Sequence, residues 1–291
     1  MKTVKLLLIL CLCMGCTRID SKTQSIATDE VNPVKVIQQE AKEESDDLSA
    51  LKGVIDLYIS DNALDTTQMS YAIQDLETGV IIQSENASEN FVAASVYKLP
   101  LCMLWYDKIN SGEVSKDEPI LFSAIEESGG YLEQDYCVGQ TIPLSEVLRY
   151  TIVYSDNNGA HLLFNNLGGW PEFKKQCAKY SSHEQNDEFY SYENYLNAEY
   201  MCDVLKNLYD HKETYSDLIG HLQSAIPDDF LNSNTPLNMA QKAGWLYEVQ
   251  NASGLSLDGH PYSISVFTTY GEQGKTIMGN INKICFDYFN E

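Results

Sequence analysis

A serine and a lysine three positions apart, Ser95 and Lys98, have the residue types and spacing of a nucleophile and its base. A serine hydroxyl is a weak nucleophile until a neighbouring group removes its proton. The surrounding segment AASVYKLP is otherwise apolar and predicts the start of a buried helix. Burial lowers the pKa of a lysine toward the range in which the amine can accept a proton. The same pair also fits a helix N-cap followed by a lysine that reaches the surface, so alone it leaves both interpretations open.

Two later motifs favour the activated serine. The triplet Ser155-Asp156-Asn157 lies between two predicted helices, and Lys242-Ala243-Gly244 lies on a predicted strand near the C-terminus. Each is weak by itself, because Ser, Asp and Asn are ordinary capping residues and a lysine is common on a strand. A glycine directly after that lysine, however, indicates a close backbone approach.

Taken in this order, the three motifs resemble the S-x-x-K, S-D-N and K-T-G signature of serine β-lactamases and penicillin-binding proteins. The resemblance runs from about residue 70 to the C-terminus and is strongest to the class A β-lactamase-like serine hydrolases. It implies that Ser95 is the acylated nucleophile and that Lys98 is its general base. It also implies that Ser155 relays a proton to the leaving group while Lys242 holds it in place electrostatically.

The resemblance also implies a set of substrate contacts. Asn157 would hydrogen-bond an amide of the substrate, and the backbone N–H groups of Ser95 and Trp245 would form an oxyanion hole beside Gly244. Ala243 departs from the family pattern, which has a threonine whose hydroxyl helps to hold a substrate carboxylate. Loss of such a hydrogen bond costs about 1.5–3 kcal/mol, so binding of a carboxylate is in doubt.

A glutamate motif bears on hydrolysis of the acyl-enzyme. Class A β-lactamases activate the hydrolytic water with a glutamate in an E-x-x-L-N motif, and residues Glu193 to Asn197 have that sequence. Here a predicted helix begins immediately afterwards, without the stretch of loop found in the lactamases. Glu193 is therefore either the catalytic base or an exposed loop residue, with Asn197 as the N-cap of that helix.

The elements that must position these residues predict an α/β fold in one domain, residues 47–291. A helix from Asp47 and a hairpin of SYAIQDL and GVIIQS precede the buried helix, which extends from Ser95 to about Ser111. The region 113–235 is helical in pattern. LNMAQKAGW and PYSISVFTTY predict strands, and a final amphipathic helix follows. We expect an antiparallel sheet flanked by N- and C-terminal helices, built from residues 47–112 and 236–291. The inserted all-helical subdomain would then form the other wall of the active-site cleft.

The first residues predict export. Lys2 and Lys5 precede an apolar run from Leu6 to Met14 that is too short to span a bilayer, so residues 1–15 fit a signal peptide. Gly15-Cys16 resembles a lipoprotein processing site, although Cys13 is unusual in that pattern. We expect lipidation of Cys16 and a cell-membrane lipoprotein on the extracytoplasmic face, with residues 16–46 as an acidic tether. Cleavage elsewhere or an uncleaved anchor are the alternatives.

Composition limits the partners. With 19 basic and 42 acidic side chains the formal net charge is −23, which argues against nucleic acid and against an anionic membrane surface. The cysteines and the five histidines lack metal-ligand spacing, so neither a metal nor another cofactor is expected. We expect a monomer whose cysteines outside the leader are mainly buried free thiols.

The sequence therefore predicts an exported serine hydrolase that forms an acyl-enzyme on Ser95. Its substrate would be an amide or a peptide, either a cell-wall peptide or a β-lactam. The alternatives are a β-lactamase proper, a penicillin-binding or sensor module without turnover, and a structural envelope protein.

Overall fold

The computed structural model of the chain describes residues 48–226 and 228–290. The predicted signal peptide, the lipidation site Cys16 and the tether lie outside the described residues. The helices are α1 (Ser49–Asp61), α2 (Lys98–Asn110), α3 (Leu132–Asp135), α4 (Leu144–Val153), α5 (Asn157–Asn166), α6 (Trp170–Cys177), α7 (Ala198–Asp210), α8 (Ser216–Ala225) and α9 (Gln273–Asn290). The strands are β1 (Met69–Asp75), β2 (Ile81–Gln83), β3 (Phe91–Val92), β4 (Pro119–Leu121), β5 (Thr141–Pro143), β6 (Tyr195–Leu196), β7 (Ala240–Leu246), β8 (Val249–Ser256) and β9 (Tyr262–Thr268).

The main sheet has five antiparallel strands in the order β2-β1-β9-β8-β7. The first and last strands along the chain, β1 and β9, are neighbours, with Ile73 opposite Ile264. Both strands are buried along their whole length because helices cover the two faces of the sheet. Helices α1 and α9 contact each other on one face, and α7 packs against β1 and β9. The predicted fold class is confirmed.

Strand β8 was not predicted, because its sequence VQNASGLS lacks the β-branched alternation of a typical strand. The side chains of Asn251, Ser253 and Ser256 are nevertheless buried and hydrogen-bonded. The Asn251 side chain donates to the Val92 carbonyl at 2.8 Å and accepts from the Thr268 N–H at 3.0 Å. The Ser253 and Ser265 hydroxyls lie 2.7 Å apart. These bonds make burial of a polar strand tolerable.

The helical part is built around α2, whose residues from Lys98 to Tyr106 are all buried. Helices α4, α5, α6 and α8 pack against it. The α-helix begins at Lys98 rather than at Ser95, because residues 94–97 form a 3₁₀ turn. The inserted region also contains short strands: β4 pairs with β5, and β6 pairs with β3. Among the described helices, none is both long and apolar enough to cross a membrane.

Candidate active site

The turn that carries Ser95 is held in an unusual backbone conformation. Ala94, directly before the serine, has φ 47°, a left-handed value that costs a non-glycine residue about 1–3 kcal/mol. Asn194 holds this turn through two bonds, both 2.7 Å long. Its carbonyl accepts from the Ala93 N–H, and its side-chain amide donates to the Ala94 carbonyl. Contacts from a residue about a hundred positions away therefore fix the backbone beside Ser95.

Gly244 brings strand β7 against the same turn. A Cβ atom on Gly244 would lie 2.4 Å from the backbone nitrogen of Ser95 and 3.0 Å from that of Val96. Only glycine permits this approach, since side-chain carbons do not come that close to backbone atoms. The glycine thus sets the backbone of Ser95 beside the backbone leading to Trp245, as an oxyanion hole requires.

Lys98 is completely buried, and its ammonium group lies beside the nucleophile. The Lys98 Nζ is 3.1 Å from Ser95 Oγ, 2.6 Å from the Ser155 carbonyl and 3.3 Å from Ser155 Oγ. Burial lowers the pKa of Lys98 to about 8, although the charges of Asp156 and Glu127 oppose this shift. A lysine with its pKa lowered toward neutrality can accept a proton as a general base.

Lys242 is also fully buried and shares Ser155 with Lys98. The Lys242 Nζ donates to Ser155 Oγ at 3.1 Å and to the Ala243 carbonyl at 2.7 Å. Burial, followed by the charge of Lys98, lowers the pKa of Lys242 well below its usual value. Two lysines therefore donate to one hydroxyl oxygen, which has two acceptor positions and one proton. That proton remains available to a third group, as expected for a proton relay.

The amide of Asn157 links the lysine to a loop that the sequence analysis did not single out. Its oxygen accepts from Lys98, and its nitrogen donates to the carboxylate of Glu127. Asn158 holds the backbone of that loop, accepting from the N–H groups of Glu126 and Glu127 at 2.8 and 3.1 Å. It also donates to the Glu127 carbonyl at 2.8 Å. No local sequence pattern marks Glu127 as part of the site. The one sequence feature connected with it is Asn158, the second asparagine after Ser155-Asp156, which binds the loop backbone.

Asp156 has a structural role in this arrangement. One oxygen caps α5 by accepting from the Gly159 N–H at 2.8 Å, and the other accepts from the Leu132 N–H at 2.9 Å. A Cβ on Gly130 would lie 2.6 Å from the second oxygen. The aspartate thus joins the loop of Glu127 to the helix that carries Asn157.

Comparison with known proteins identifies the family. A sequence profile described as the β-lactamase enzyme family matches residues 51–289. The chain belongs to the β-lactamase enzyme family. The resemblance predicted from the three motifs is therefore confirmed, and the chain is a serine hydrolase of this family. No curated protein matches the sequence.

Solved structures of the β-lactamase family share the fold. A β-lactamase from Chitinophaga pinensis is 22% identical with a TM-score of 0.69, covering 83% of this chain and 100% of its own. The TLA-3 extended-spectrum β-lactamase is 20% identical with a TM-score of 0.69, covering 83% and 99%. A mutant of PBP-A, in an acyl-enzyme complex with penicillin G, is 17% identical with a TM-score of 0.70, covering 83% and 97%. At these identities the structures establish the fold alone.

Ala243, which replaces the threonine of the motif, is a buried residue. Its side chain is fully buried and belongs to the same apolar cluster as Phe230. Along a strand successive side chains point to opposite faces, so Ala243 points away from the face that Lys242 and Gly244 present to Ser95. The Trp245 ring stacks on Phe230 with 5.8 Å between centroids. The side chain of Ala243 offers no exposed surface in this structure, and its contact with a substrate stays a prediction.

Glu193 also differs from the glutamate of class A β-lactamases. The residue is exposed, and within the described ranges its carboxylate makes no hydrogen bond to Ser95 or Lys98. Asn197 instead caps α7 by accepting from the Tyr200 N–H at 2.7 Å, as the second interpretation of the motif expected. A catalytic role of Glu193 stays a prediction.

Across residues 48–226 and 228–290, no set of three or more His, Cys, Asp or Glu side chains is arranged to hold a metal ion. The cysteines of these ranges are unpaired, and all except Cys137 are buried.

Proposed function

We propose that this protein forms an acyl-enzyme on Ser95 with an amide substrate, either a β-lactam or a cell-wall peptide. The observation that carries the proposal is the buried Lys98, whose Nζ lies 3.1 Å from the Ser95 hydroxyl. A buried amine with a pKa of about 8 is poised to exchange a proton with that hydroxyl near neutral pH.

The acylation step is written for a neutral Lys98. Lys98 accepts the proton of Ser95 as its Oγ bonds to the carbonyl carbon, and the carbonyl oxygen becomes negative. The N–H groups of Ser95 and Trp245 stabilise that oxyanion, each worth about 3 kcal/mol in typical enzymes. The C–N bond then breaks, and the leaving nitrogen takes the Ser155 proton, which Lys98 replaces. Lys98 returns to the neutral form, and the acyl group remains on Ser95.

We propose further that hydrolysis of this acyl-enzyme is slow. Removal of the acyl group needs a base that activates water. Glu193, the candidate from sequence, is exposed and makes no hydrogen bond to the Ser95–Lys98 pair. This favours a penicillin-binding protein or sensor over a β-lactamase with rapid turnover.

Incubation with benzylpenicillin, followed over time by intact mass, tests both proposals. We expect a single adduct with the mass of one intact penicillin, because ring opening loses no atoms, and we expect it to persist. A transient adduct would instead show β-lactamase turnover. Absence of an adduct at every time would overturn the acyl-enzyme proposal.

A matched pair of variants locates the adduct. Ser95→Ala should abolish it. Ser49→Ala removes the serine of a second S-x-x-K sequence on α1, whose Lys52 is exposed and paired with Asp56, and it should leave the adduct unchanged.

We also propose that the protein is exported and lipidated at Cys16. The basic and apolar start of the chain and its Gly15-Cys16 pair support this. In bacteria expressing the full chain, labelled palmitate should enter the wild type and not Cys16→Ser. Label in both variants, or in neither, would contradict lipidation at this residue.

A further inference from the structure

We propose that Glu127 forms a subsite beside Ser95 that prefers substrates with a positively charged ammonium group close to the reacting amide. The inference rests on the proposed acyl-enzyme and adds a substrate class to it. A cavity of about 190 Å³ lies at this place, lined by residues 127–131 and 154–157. Its lining includes Ser155 and Asn157, so the cavity adjoins the proposed relay serine and is open to a substrate bound there.

Glu127 provides the accessible charge of this cavity. Its side chain is 56% exposed, and one oxygen accepts from the Asn157 amide while the other lies 3.8 Å from His161 Nε2. The second carboxylate of the lining, Asp156, is buried, and its oxygens are occupied by backbone N–H groups. The lysine charges near the site are buried and bound to Ser155. A ligand therefore meets a negative rim.

Two aromatic side chains complete a surface that suits a cation. Tyr131 and Tyr154 are both exposed, and their rings stack with 4.7 Å between centroids. Ring faces and hydroxyl oxygens attract an ammonium group. Arg149 lies 5.5 Å from the Tyr154 ring, but Glu146 pairs with it at 2.7 Å and offsets its charge.

The position of the Glu127 carboxylate is fixed rather than left to a free loop. Asn158 makes three hydrogen bonds to the backbone of residues 126 and 127. Gly130 packs so closely on Asp156 that a Cβ there would lie 2.6 Å from its carboxylate. A charge held in place loses less entropy when a ligand binds to it.

The site gives no support for a preference for negatively charged substrates. The side chain at position 243 is a buried alanine, so it offers no hydroxyl to a substrate carboxylate. Arg149, the one arginine of the described ranges, is already paired. A negatively charged acyl group would meet the exposed Glu127 carboxylate, which has His161 Nε2 3.8 Å from one of its oxygens.

Three penicillins with one nucleus and different acyl side chains test the inference. Ampicillin carries an amine, benzylpenicillin is neutral at the same position and carbenicillin carries a carboxylate. Their second-order rate constants for acylation of the full protein are measured at low salt and slightly below neutral pH, where an α-amino group is protonated. We expect ampicillin to react about fivefold faster than benzylpenicillin, and carbenicillin more slowly by a similar factor.

Two variants assign the preference to one carboxylate. Glu127→Gln keeps an acceptor for Asn157. In this variant the acylation rate constants of the three penicillins should agree to within about twofold. Glu126→Gln removes the same charge from the neighbouring exposed residue and should keep the wild-type order. Equal rates in the wild type, or an unchanged order in Glu127→Gln, would overturn the inference.

Noncovalent binding separates this inference from the acyl-enzyme proposal. Calorimetry on Ser95→Ala, where no acyl bond can form, should give the same order of affinities. If Ser95→Ala binds the three penicillins in this order of affinity but the wild type is never acylated, the proposed function is overturned and the subsite is supported. If neither the affinities nor the acylation rates differ among the three penicillins, the subsite is overturned.

Discussion

Replacing Lys98 with methionine tests two effects of this lysine separately: its proposed role as base in acylation, and the loss of unfolding free energy caused by burying its charge. The wild-type ammonium is fully buried and has a pKa of about 8, against about 10.5 for a solvated lysine. Because the folded-state pKa is the lower one, the unfolded chain binds the additional proton between these two values. Stability therefore rises with pH across this window, and the full penalty is present below about pH 8.

The size of the effect follows from the two pKa values. The fall in the Lys98 pKa from 10.5 to about 8 corresponds to about 3 kcal/mol of lost unfolding free energy at neutral pH. About 2 kcal/mol of this should return between about pH 7 and about pH 9.5. The methionine variant lacks this contribution but also removes the Lys98 donor from the Ser155 carbonyl and the Asn157 amide oxygen, so its stability at a single pH is not the decisive quantity.

The assay is urea denaturation of the wild type and Lys98→Met at both pH values, with benzylpenicillin labelling beside it. The difference in unfolding free energy between the two proteins should change by about 2 kcal/mol in favour of the wild type at the higher pH. The variant should form no adduct, while wild-type acylation should rise with pH through about 8 as Lys98 loses its proton.

Lys52→Met is the control for removal of a lysine. Lys52 is exposed on α1 and paired with Asp56, so its loss should leave the pH dependence of stability as in the wild type. An equal dependence in the wild type and Lys98→Met would refute the claim that Lys98 is held with a lowered pKa. Adduct formation by Lys98→Met at the wild-type rate would refute its role as base.

Three further substitutions test separate features of the site. Gly244→Ala places a carbon 2.4 Å from the Ser95 nitrogen and should slow acylation about a hundredfold or more. Gly53→Ala is the control, because its new carbon meets no atom within 4 Å and should leave the acylation rate unchanged. Equal acylation rates in the two variants would contradict the close approach of Gly244 to Ser95. Ala243→Thr puts a hydroxyl into an apolar cluster and should lower the free energy of unfolding in urea by about 1–3 kcal/mol without faster acylation by benzylpenicillin. A faster rate would show that the position contacts substrate after all. Glu193→Gln should leave the adduct lifetime unchanged by intact mass, and a longer lifetime would make Glu193 the hydrolytic base.

The motif residues were predicted better than their surroundings. The structure brings Ser95, Lys98, Ser155 and Lys242 together, as the order of the three motifs implied. The burial of Ala243 was not evident from the sequence, since a motif gives residue order and not the face of a strand. Glu127 was missed because its place depends on the hydrogen bonds of Asn158, which connect segments about thirty residues apart.

Long-range hydrogen bonds also explain why strand β8 and the conformation of the turn before Ser95 were not predicted from the sequence. Burial of β8 depends on cross-strand partners such as Ser265 for Ser253, and these partners are set by the fold. The left-handed Ala94 depends on Asn194, a residue of a distant loop. Local pattern identifies elements, whereas long-range hydrogen bonds decide which polar or strained positions can be tolerated.

Under the acyl-enzyme proposal, the pairing of β1 with β9 makes labelling by penicillin a test of complete folding. Lys98 belongs to the segment after β1, Ser155 to the inserted helices and Lys242 to the strands that precede β9. These segments meet only when the last strand along the chain has entered the sheet between β1 and β8. During synthesis, nascent chains that end before β9 should stay unlabelled by a fluorescent penicillin. The reaction at Ser95 would then count finished molecules in a cell, because partly folded chains lack the assembled site.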